Sequence, residues 1–298
     1  MNKQVARDIS YSFSAQTKGG KAVIRTLENV TGRLKLIKRA EGYQDEVAQG
    51  ADFWQVMVAR YGLSLNVVRG ALSNIPNEGP LVVVSNHPYG ILDGLMLGHV
   101  MSQTREDFKI MAHAVFNRAP DLNRHLLPIS FDADKSALAM NLATRRHALD
   151  YLGKGGAVGV FPGGTVSTGA TPFSRPMDPG WRSFTARMIA KSRATVVPIY
   201  FDGHTSRLFQ LASHLHSTLR LGLLIKEFRQ RVDTPVQIVV GAPIPAHEIA
   251  ARKKDARELM DFLRKATYEL SPRPVDASRL GHEFEDRYKA RHGGGHIR

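Results

Sequence analysis

Short apolar runs alternate with helical patterns along most of the chain. The runs are rich in β-branched residues, and between them apolar positions recur three or four residues apart. This alternation is typical of an α/β fold with a mostly parallel central sheet flanked by helices. The predicted strands are residues 65–69, 81–85, 108–112, 126–129, 157–161, 196–201 and 236–241, and the predicted helices are residues 93–104, 136–152, 181–192, 206–230 and 246–269.

The N-terminal region has a different pattern. Residues 1–20 carry little apolar periodicity and are predicted to form a loose arm, whereas residues 21–61 have the spacing of amphipathic helices. These N-terminal helices form either a lid or membrane-facing element, or pack against the core in the ordinary way. The apolar positions of the first helix are Ile24, Leu27, Val30, Leu34 and Ile37, and those of the second are Phe53, Trp54, Val56, Met57 and Tyr61.

Three regions follow from these patterns. Residues 1–62 form the N-terminal arm and helices, and residues 63–270 form one catalytic domain, because no repeat or linker interrupts them. Residues 271–298 are polar, charged and glycine-rich near their end, which predicts a tail that is either an appended helix or disordered.

Composition narrows the function classes only partly. The chain has 298 residues and no cysteine, which excludes disulfides, thiolate metal sites and a cysteine nucleophile and is consistent with the cytoplasm. No apolar run approaches the roughly 18 residues of a membrane-spanning helix. The net charge of +14 attracts polyanions, so nucleic acid, an anionic membrane surface and simple solubility remain open at this point.

The segment from Leu81 to Gly94 carries the most informative chemistry. A buried strand ends at Ser85, and a tight turn containing Pro88 and Gly90 separates His87 from Asp93. A neutral imidazole accepts a proton from a hydroxyl, and a carboxylate on its other ring nitrogen fixes the tautomer. By itself this pair is weak evidence, because Asp93 is equally suited to cap the following helix.

Further blocks follow strand ends in order. Residues 160–167 contain Gly163 and Gly164, whose backbone N–H groups are suited to hold a phosphate or an oxyanion, or form an ordinary glycine turn. Residues 196–201 contain Pro198 within a strand, which is typical of an edge or bulged strand. Residues 240–245 are again a strand followed by a turn.

These ordered blocks resemble the glycerolipid acyltransferase family, the lysophospholipid acyltransferases that include 1-acylglycerol-3-phosphate acyltransferases, over about residues 66–244. Asn86-His87 through Asp93-Gly94 resembles the family's histidine-and-aspartate motif, and residues 161–166 resemble its Phe-Pro-Glu-Gly-Thr-Arg block. The five residues between His87 and Asp93, together with residues 126–129, are similar to a hemolysin-like branch. The resemblance implies the substrate-binding residues Asn86, Gly94, Phe161, Pro162, Gly163, Gly164, Thr165 and Ser167.

The second block departs from the family pattern at two positions. Gly163 stands where the family has glutamate, and Val166 stands where it has an arginine associated with the acceptor's phosphate. Arg175, Arg182 or Lys191 would have to supply that charge, or the acceptor carries a different head group, such as that of a lyso-ornithine lipid. Arg175 and Arg182 are therefore added to the candidate substrate-binding residues.

The resemblance implies direct transfer without a metal or other cofactor. His87 and Asp93 are the candidate catalytic residues, acyl-CoA or an acyl carrier protein is the donor, and a lysolipid is the acceptor. We expect a cytoplasmic protein bound peripherally to the inner face of the membrane, with no specific nucleic acid partner. The main alternatives are a basic nucleic-acid-binding protein and a lipid-binding protein without activity.

Other enzyme classes lack their motifs. Residues 164–169 have the wrong spacing for the serine hydrolase motif, and Val158 stands at the third glycine of a dinucleotide-binding pattern in residues 153–158. His214 and His216 have no evident third ligand for a metal and are more typical of a helix surface.

Overall fold

The computed structural model describes residues 10–15, 17–118, 120–130 and 134–285. In this part of the chain seven strands form one sheet in the order β1-β7-β6-β2-β5-β3-β4. All neighbouring pairs are parallel except β6 and β7, so the predicted mostly parallel α/β fold is confirmed. The strands are β1 (Ser64–Arg69), β2 (Leu81–Ser85), β3 (Phe108–His113), β4 (Leu126–Ile129), β5 (Ala157–Val160), β6 (Thr195–Phe201) and β7 (Pro235–Val240).

The central strands of the sheet could be predicted from the sequence because both of their faces are buried. Every residue of β2 and β5 is buried, because helices cover both faces, and such strands have continuous apolar runs. β6 is an interior strand and not the edge strand that Pro198 suggests. Its pairing with β7 begins at Ile199, so Pro198 lies just outside that ladder, where its carbonyl accepts a hydrogen bond from the Gly241 N–H.

Helices cover the two faces of the sheet. On one face, α7, α8 and α12 pack on apolar residues of β2, β5 and β6, and on the other, α4, α5 and α10 close the larger core. The described helices are α1 (Lys18–Thr31), α2 (Arg33–Ala40), α3 (Tyr43–Ala48), α4 (Phe53–Arg60), α5 (Ile91–Ser102), α6 (Pro120–Asn123), α7 (Lys135–Gly153), α8 (Ser183–Ser192), α9 (Arg207–Leu215), α10 (Ser217–Arg231), α11 (Ala246–Arg252) and α12 (Ala256–Tyr268). Within the described residues, none of these helices is long and apolar enough to cross a membrane.

Two long predicted helices are each divided. Residues 206–230 separate into α9 and α10 at His216, which is extended and whose ring nitrogen accepts a hydrogen bond from the Thr218 N–H. Residues 246–269 separate into α11 and α12, and the carboxylate of Asp255 caps the start of α12. In both cases a cap interrupts the helix without a change in apolar spacing.

The N-terminal region is more compact than predicted. Ser10 and Tyr11 are buried and both donate hydrogen bonds to the buried carboxylate of Glu28, so residues 10–15 are not a loose arm. Residues 1–9 lie outside the described chain. Gly32, at φ 126°, separates α1 from α2, and the predicted apolar face is therefore broken, with Val30 and Leu34 exposed.

The C-terminal segment also packs on the domain. The guanidinium of Arg264 donates to the carbonyls of Ala277 (2.7 Å) and Arg279 (2.6 Å). The N–H groups of Gly281 and His282 donate to the carbonyls of Asp178 and Thr168. Residues 271–285 are thus neither an appended helix nor free of the domain, and residues 286–298 lie outside the described chain.

Candidate active site

The loop between β2 and α5 brings His87 and Asp93 together. Gly90, at φ 79°, turns the chain, so that the first turn of α5 returns Asp93 to the histidine. The Nδ1 atom of His87 lies 3.0 Å from Oδ2 of Asp93. The same oxygen accepts hydrogen bonds from the N–H groups of Tyr89 (2.7 Å) and Gly90 (2.9 Å), so Asp93 both caps this turn and orients the ring.

The electrostatics of the pair follow from its burial. Asp93 is completely buried, which raises the pKa of its carboxyl group, while the hydrogen bonds from His87, Tyr89 and Gly90 oppose that rise. With Nδ1–H donating to the carboxylate, Nε2 of the ring carries the free lone pair. His87 is 19% exposed and stacks on Phe161, with ring centroids 4.2 Å apart.

An apolar cavity of about 250 Å³ lies against His87. It extends from the site to the N-terminal helices and is lined by Trp54, Met57, Leu95, Phe116 and Phe228 among others. Gly94, Phe161 and Gly164 also line it. A cavity of this composition is suited to a hydrocarbon chain.

A second cavity of about 130 Å³ is also bounded by the second block; its lining is mixed but more polar than that of the first, and it is called the polar cavity below. Phe161 and Gly164 line both cavities, and Pro162 lines the polar one. The two cavities therefore share part of their walls at Phe161, on which the His87 ring is stacked, and His87 itself lines the apolar cavity. The polar residues that line this cavity are Ser130, Asn141, Thr144, Arg145, Arg182, Ser183, Thr185, Arg187 and Glu285.

The second block is tied to the histidine loop. The Ser167 N–H donates to the His87 carbonyl at 2.8 Å, which fixes the separation of the two loops. The Gly164 N–H donates to the Phe161 carbonyl at 3.0 Å and closes the glycine turn. The oxyanion donor proposed for this block must therefore come from its other N–H groups.

Several of the candidate substrate-binding residues line neither cavity. Asn86 uses both ends of its amide on the backbone of Phe201, at 2.9 and 2.8 Å, and so joins β2 to β6. The Ser167 hydroxyl donates to the buried carboxylate of Asp178. Arg175 is exposed and donates to the Pro274 carbonyl. Gly163 and Thr165 are also absent from both cavity linings.

Arg182 does line the polar cavity, but it is already paired. Its guanidinium lies 2.7 Å from Glu283 and 3.1 Å from Glu285, two carboxylates of the C-terminal segment. Lys191 is exposed on α8 and lines neither cavity. Of the three cations predicted to replace the family's arginine, only Arg182 therefore reaches a cavity.

Asp178 is central to the site and was not predicted. Its buried carboxylate accepts hydrogen bonds from the His87 N–H (3.2 Å), the Ser167 hydroxyl and Nε1 of Trp181 (2.9 Å). A Cβ at Gly163 would lie 3.3 Å from this side chain. Asp178 thus occupies the space beside the position where the related family carries glutamate.

Arg220 was also missed. It reaches from α10 to the second block, where it donates to Thr165 Oγ1 (2.9 Å), the Val166 carbonyl (2.8 Å) and Thr168 Oγ1 (2.6 Å). Burial lowers the pKa of its guanidinium to about 9, so it remains a cation at neutral pH. The guanidinium of Arg220 therefore stabilises the loop at Val166, the position at which the related family has an arginine in its sequence.

The two histidines considered as metal ligands have other roles. The Nε2 atom of His214 lies 3.0 Å from the Gly169 carbonyl, and His216 caps α10. Among the described residues no group of three histidine, aspartate or glutamate side chains is arranged to hold a metal ion.

Comparison with known proteins gives the class. Residues 67–202, which include the His87–Asp93 loop and the second block, match the family model described as Acyltransferase. The protein is therefore an acyltransferase that acts in lipid metabolism.

Individual relatives are distant. The chain is 22% identical to the lyso-glycine lipid O-acyltransferase of Phocaeicola vulgatus, over 74% of this chain and 78% of that protein. It is 24% identical to the protein of the same name from Bacteroides thetaiotaomicron, over 74% and 80% of the two chains. The crystal structure of the 1-acyl-sn-glycerophosphate acyltransferase PlsC from Thermotoga maritima is similar with a TM-score of 0.47 and 16% identity, covering 89% of this chain and 87% of that one.

Proposed function

We propose that the protein transfers a fatty acyl group from acyl-CoA or an acyl carrier protein to the hydroxyl of a lysolipid during membrane lipid biosynthesis. The observation that carries this proposal is the position of His87, which is hydrogen-bonded to Asp93, lines the apolar cavity and stacks on Phe161, a residue in the walls of both cavities. The apolar cavity suits an acyl chain, and the polar cavity suits a head group or the polar part of the donor.

The mechanism uses the free nitrogen of the histidine. Nε2 of His87 takes the proton of the acceptor hydroxyl while the oxygen attacks the thioester carbonyl carbon. Asp93 stabilises the imidazolium that forms, and burial strengthens that interaction. The carbon–sulfur bond then breaks, the leaving thiolate receives the proton from the imidazolium, and the acyl ester remains on the acceptor.

The acceptor is the least constrained part of the proposal. Val166 takes the place of an arginine that related enzymes associate with phosphate, and Arg182 is neutralised by Glu283 and Glu285. Two similar proteins act on lyso-glycine lipids. We therefore favour a lysolipid with an amino-acid head group, of the lyso-glycine or lyso-ornithine type, over a lysophospholipid. The resemblance to the hemolysin-like branch stays a prediction.

The membrane supplies the acceptor in this proposal. Leu208, Leu211 and Leu215 lie on one face of α9 and are exposed, while Phe209 and Ala212 on the other face are buried. Leu215 is 76% exposed and Phe173, whose carbonyl accepts from Arg207 at the start of α9, is 75% exposed. Such a face, on a protein with a net charge of +14, is suited to an anionic membrane surface at the cytoplasmic side.

The decisive experiment is a labelled acyl-transfer assay. Acyl-CoA and acyl carrier protein donors are offered with a panel of lyso-glycine, lyso-ornithine and lysophospholipid acceptors. Replacing His87 by Ala removes the general base, and we expect the rate to fall about 10²–10⁴-fold. A His87→Ala variant with near-normal activity would refute the mechanism, and a wild-type protein inactive with every acceptor would refute the function.

A further inference from the structure

The polar cavity opens between α7 and α8 and contains two cations that the catalytic proposal does not use. Arg145 and Arg187 both line it, and neither forms an ion pair with a described residue. Arg145 instead lies over the Phe184 ring, with its guanidinium carbon 4.9 Å from the centroid. The carboxylate of Glu285 also lines the cavity but pairs with Arg182, so Arg145 and Arg187 are available to an anionic group that enters.

The surface beside this opening combines exposed leucines with further basic charge. Leu138 and Leu142 are 59% and 53% exposed and lie one helical turn apart on α7. Arg145 and Arg146 continue this row toward the cavity, and Arg187 faces it from α8. Asp150 is the single carboxylate in the sequence of the two helices. We name Leu138, Leu142, Arg145, Arg146 and Arg187 the carrier face.

We propose that the carrier face docks an acidic acyl carrier protein whose phosphopantetheine arm enters the polar cavity. This inference rests on the proposed acyl transfer and identifies its donor. The arm's phosphate contacts Arg145 and Arg187, because guanidinium groups bind phosphate with paired, charge-assisted hydrogen bonds. The thioester then reaches Phe161, which lines both cavities and stacks on His87, and the acyl chain continues into the apolar cavity.

Two features favour a carrier protein over other partners. Coenzyme A carries the same arm, but it is a small ligand that does not require the exposed leucines on the outer face of α7. A membrane is less suited, because the apolar part of the carrier face is limited to Leu138 and Leu142, which arginines follow on the same helix. An acidic protein partner would use both parts of this face, through charge complementarity with the cations and apolar contact with the leucines.

The test compares two donors with two kinds of variant. Leu142→Ser/Arg146→Glu changes only the outer surface, since neither residue lines a cavity. We expect it to raise KM for a palmitoyl carrier protein about tenfold, with less than a twofold change for palmitoyl-CoA. Arg187→Gln removes a phosphate contact within the cavity, so KM rises for both donors.

The matched control is Lys253→Glu/Lys254→Glu. These exposed lysines precede α12, whose other end places Arg264 and Tyr268 against Asp178, so they lie at the end of that helix away from the site. The control should leave KM for both donors unchanged. Sedimentation of each variant with anionic vesicles, without donor, is measured in parallel.

Three results would overturn the inference. KM for the carrier protein could stay unchanged in Leu142→Ser/Arg146→Glu, or KM could rise equally for both donors, which would make this surface a coenzyme A site. The variant could also lose vesicle binding, which would make it a membrane contact. A wild-type protein inactive with both donors would instead refute the proposed function, and that result is seen before any variant is made.

Discussion

At the scale of single residues, one oxygen of Asp93 serves both structure and chemistry. It accepts hydrogen bonds from the N–H groups of Tyr89 and Gly90 and from the Nδ1 atom of His87. Because the carboxylate is buried, its charge is balanced mainly by these donors and not by water. The carboxylate therefore stabilises the turn of the loop and the orientation of the imidazole at the same time.

Replacing Asp93 by Asn should keep the size of the side chain but remove its charge. The amide is free to present its NH₂ group to the imidazole, which would favour the wrong tautomer, and we expect kcat to fall about 10³–10⁴-fold. Steady-state kinetics with the preferred acceptor measures this loss, and a thermal melt separates it from unfolding. Wild-type kcat in a folded Asp93→Asn protein would contradict the assigned role of the carboxylate.

The glycine at position 163 gives a second residue-scale prediction. Restoring the glutamate of related enzymes with Gly163→Glu should not raise activity, because a Cβ there meets Asp178 at 3.3 Å and a second carboxylate would be buried beside the first. We expect the free energy of unfolding to fall by about 1–3 kcal/mol. Chemical denaturation of Gly163→Glu and of the smaller Gly163→Ala measures this, and greater stability in the glutamate variant would argue against the assignment.

Only some residues of this site could be predicted from the sequence. His87 and Asp93 are six positions apart across one turn, so local rules were sufficient to pair them. Asp178 contacts His87 across 91 positions and Arg220 contacts Thr165 across 55. Such contacts arise only when the helices and strands pack together, and no local sequence pattern around Asp178 or Arg220 predicts them.

At the scale of elements, α9 connects the second block to an apolar outer face. Its Gln210 side chain accepts a hydrogen bond from the Gly169 N–H at 2.9 Å, while Leu208, Leu211 and Leu215 face outward. The sequence placed the membrane-facing role on the N-terminal helices, and Val30 and Leu34 there are also exposed. The apolar outer face of α9 was not predicted, because residues 206–230 were predicted to form one long helix.

Substituting the outward face of α9 tests the proposed membrane contact. The triple variant Leu208→Ser/Leu211→Ser/Leu215→Ser should lower vesicle binding about tenfold or more, because each leucine would lose apolar area buried in the bilayer surface. Sedimentation with anionic vesicles gives the partition coefficient. Leu138→Ser/Leu142→Ser is the control and should bind as wild type; equal binding by all three proteins would remove α9 from the membrane contact.

The elements themselves were largely visible in the sequence. Strands buried on both faces have continuous apolar runs, which is why β2 and β5 were predicted almost to the residue. Helix breaks were not visible, because a single extended residue such as His216 does not disturb the apolar spacing around it. The packed segment at residues 10–15 was not predicted because two of its three buried residues, Ser10 and Ser12, are polar and only Tyr11 is aromatic.

At the scale of the whole molecule, the proposed membrane contact combines charge and apolar surface. In this proposal the net charge of +14 attracts the protein to an anionic bilayer, and the exposed leucines of α9 insert into its surface. Neither force requires a spanning helix. The order of the strands in the sheet, in contrast, could not be predicted, because it depends on how the crossovers pack and not on any strand's own sequence.

Raising the ionic strength should separate the electrostatic part of vesicle binding from the apolar part. We expect binding to anionic vesicles to weaken as ionic strength rises from about 0.05 to 0.5 M, because screening shortens the reach of the charges. A smaller part of the binding should persist at high salt through the apolar face of α9. Sedimentation across this range measures it, and binding that does not change with salt would exclude a major electrostatic part.

The C-terminal segment contributes charge to a cavity whose other residues lie far from it in the sequence. Gly281 and His282 attach it to Asp178 and Thr168, and Glu283 and Glu285 reach Arg182 in the polar cavity. These two carboxylates offset the positive charge of the Arg182 guanidinium. Neutral replacement of both glutamates would therefore make the cavity more positive and strengthen its attraction for an anionic group.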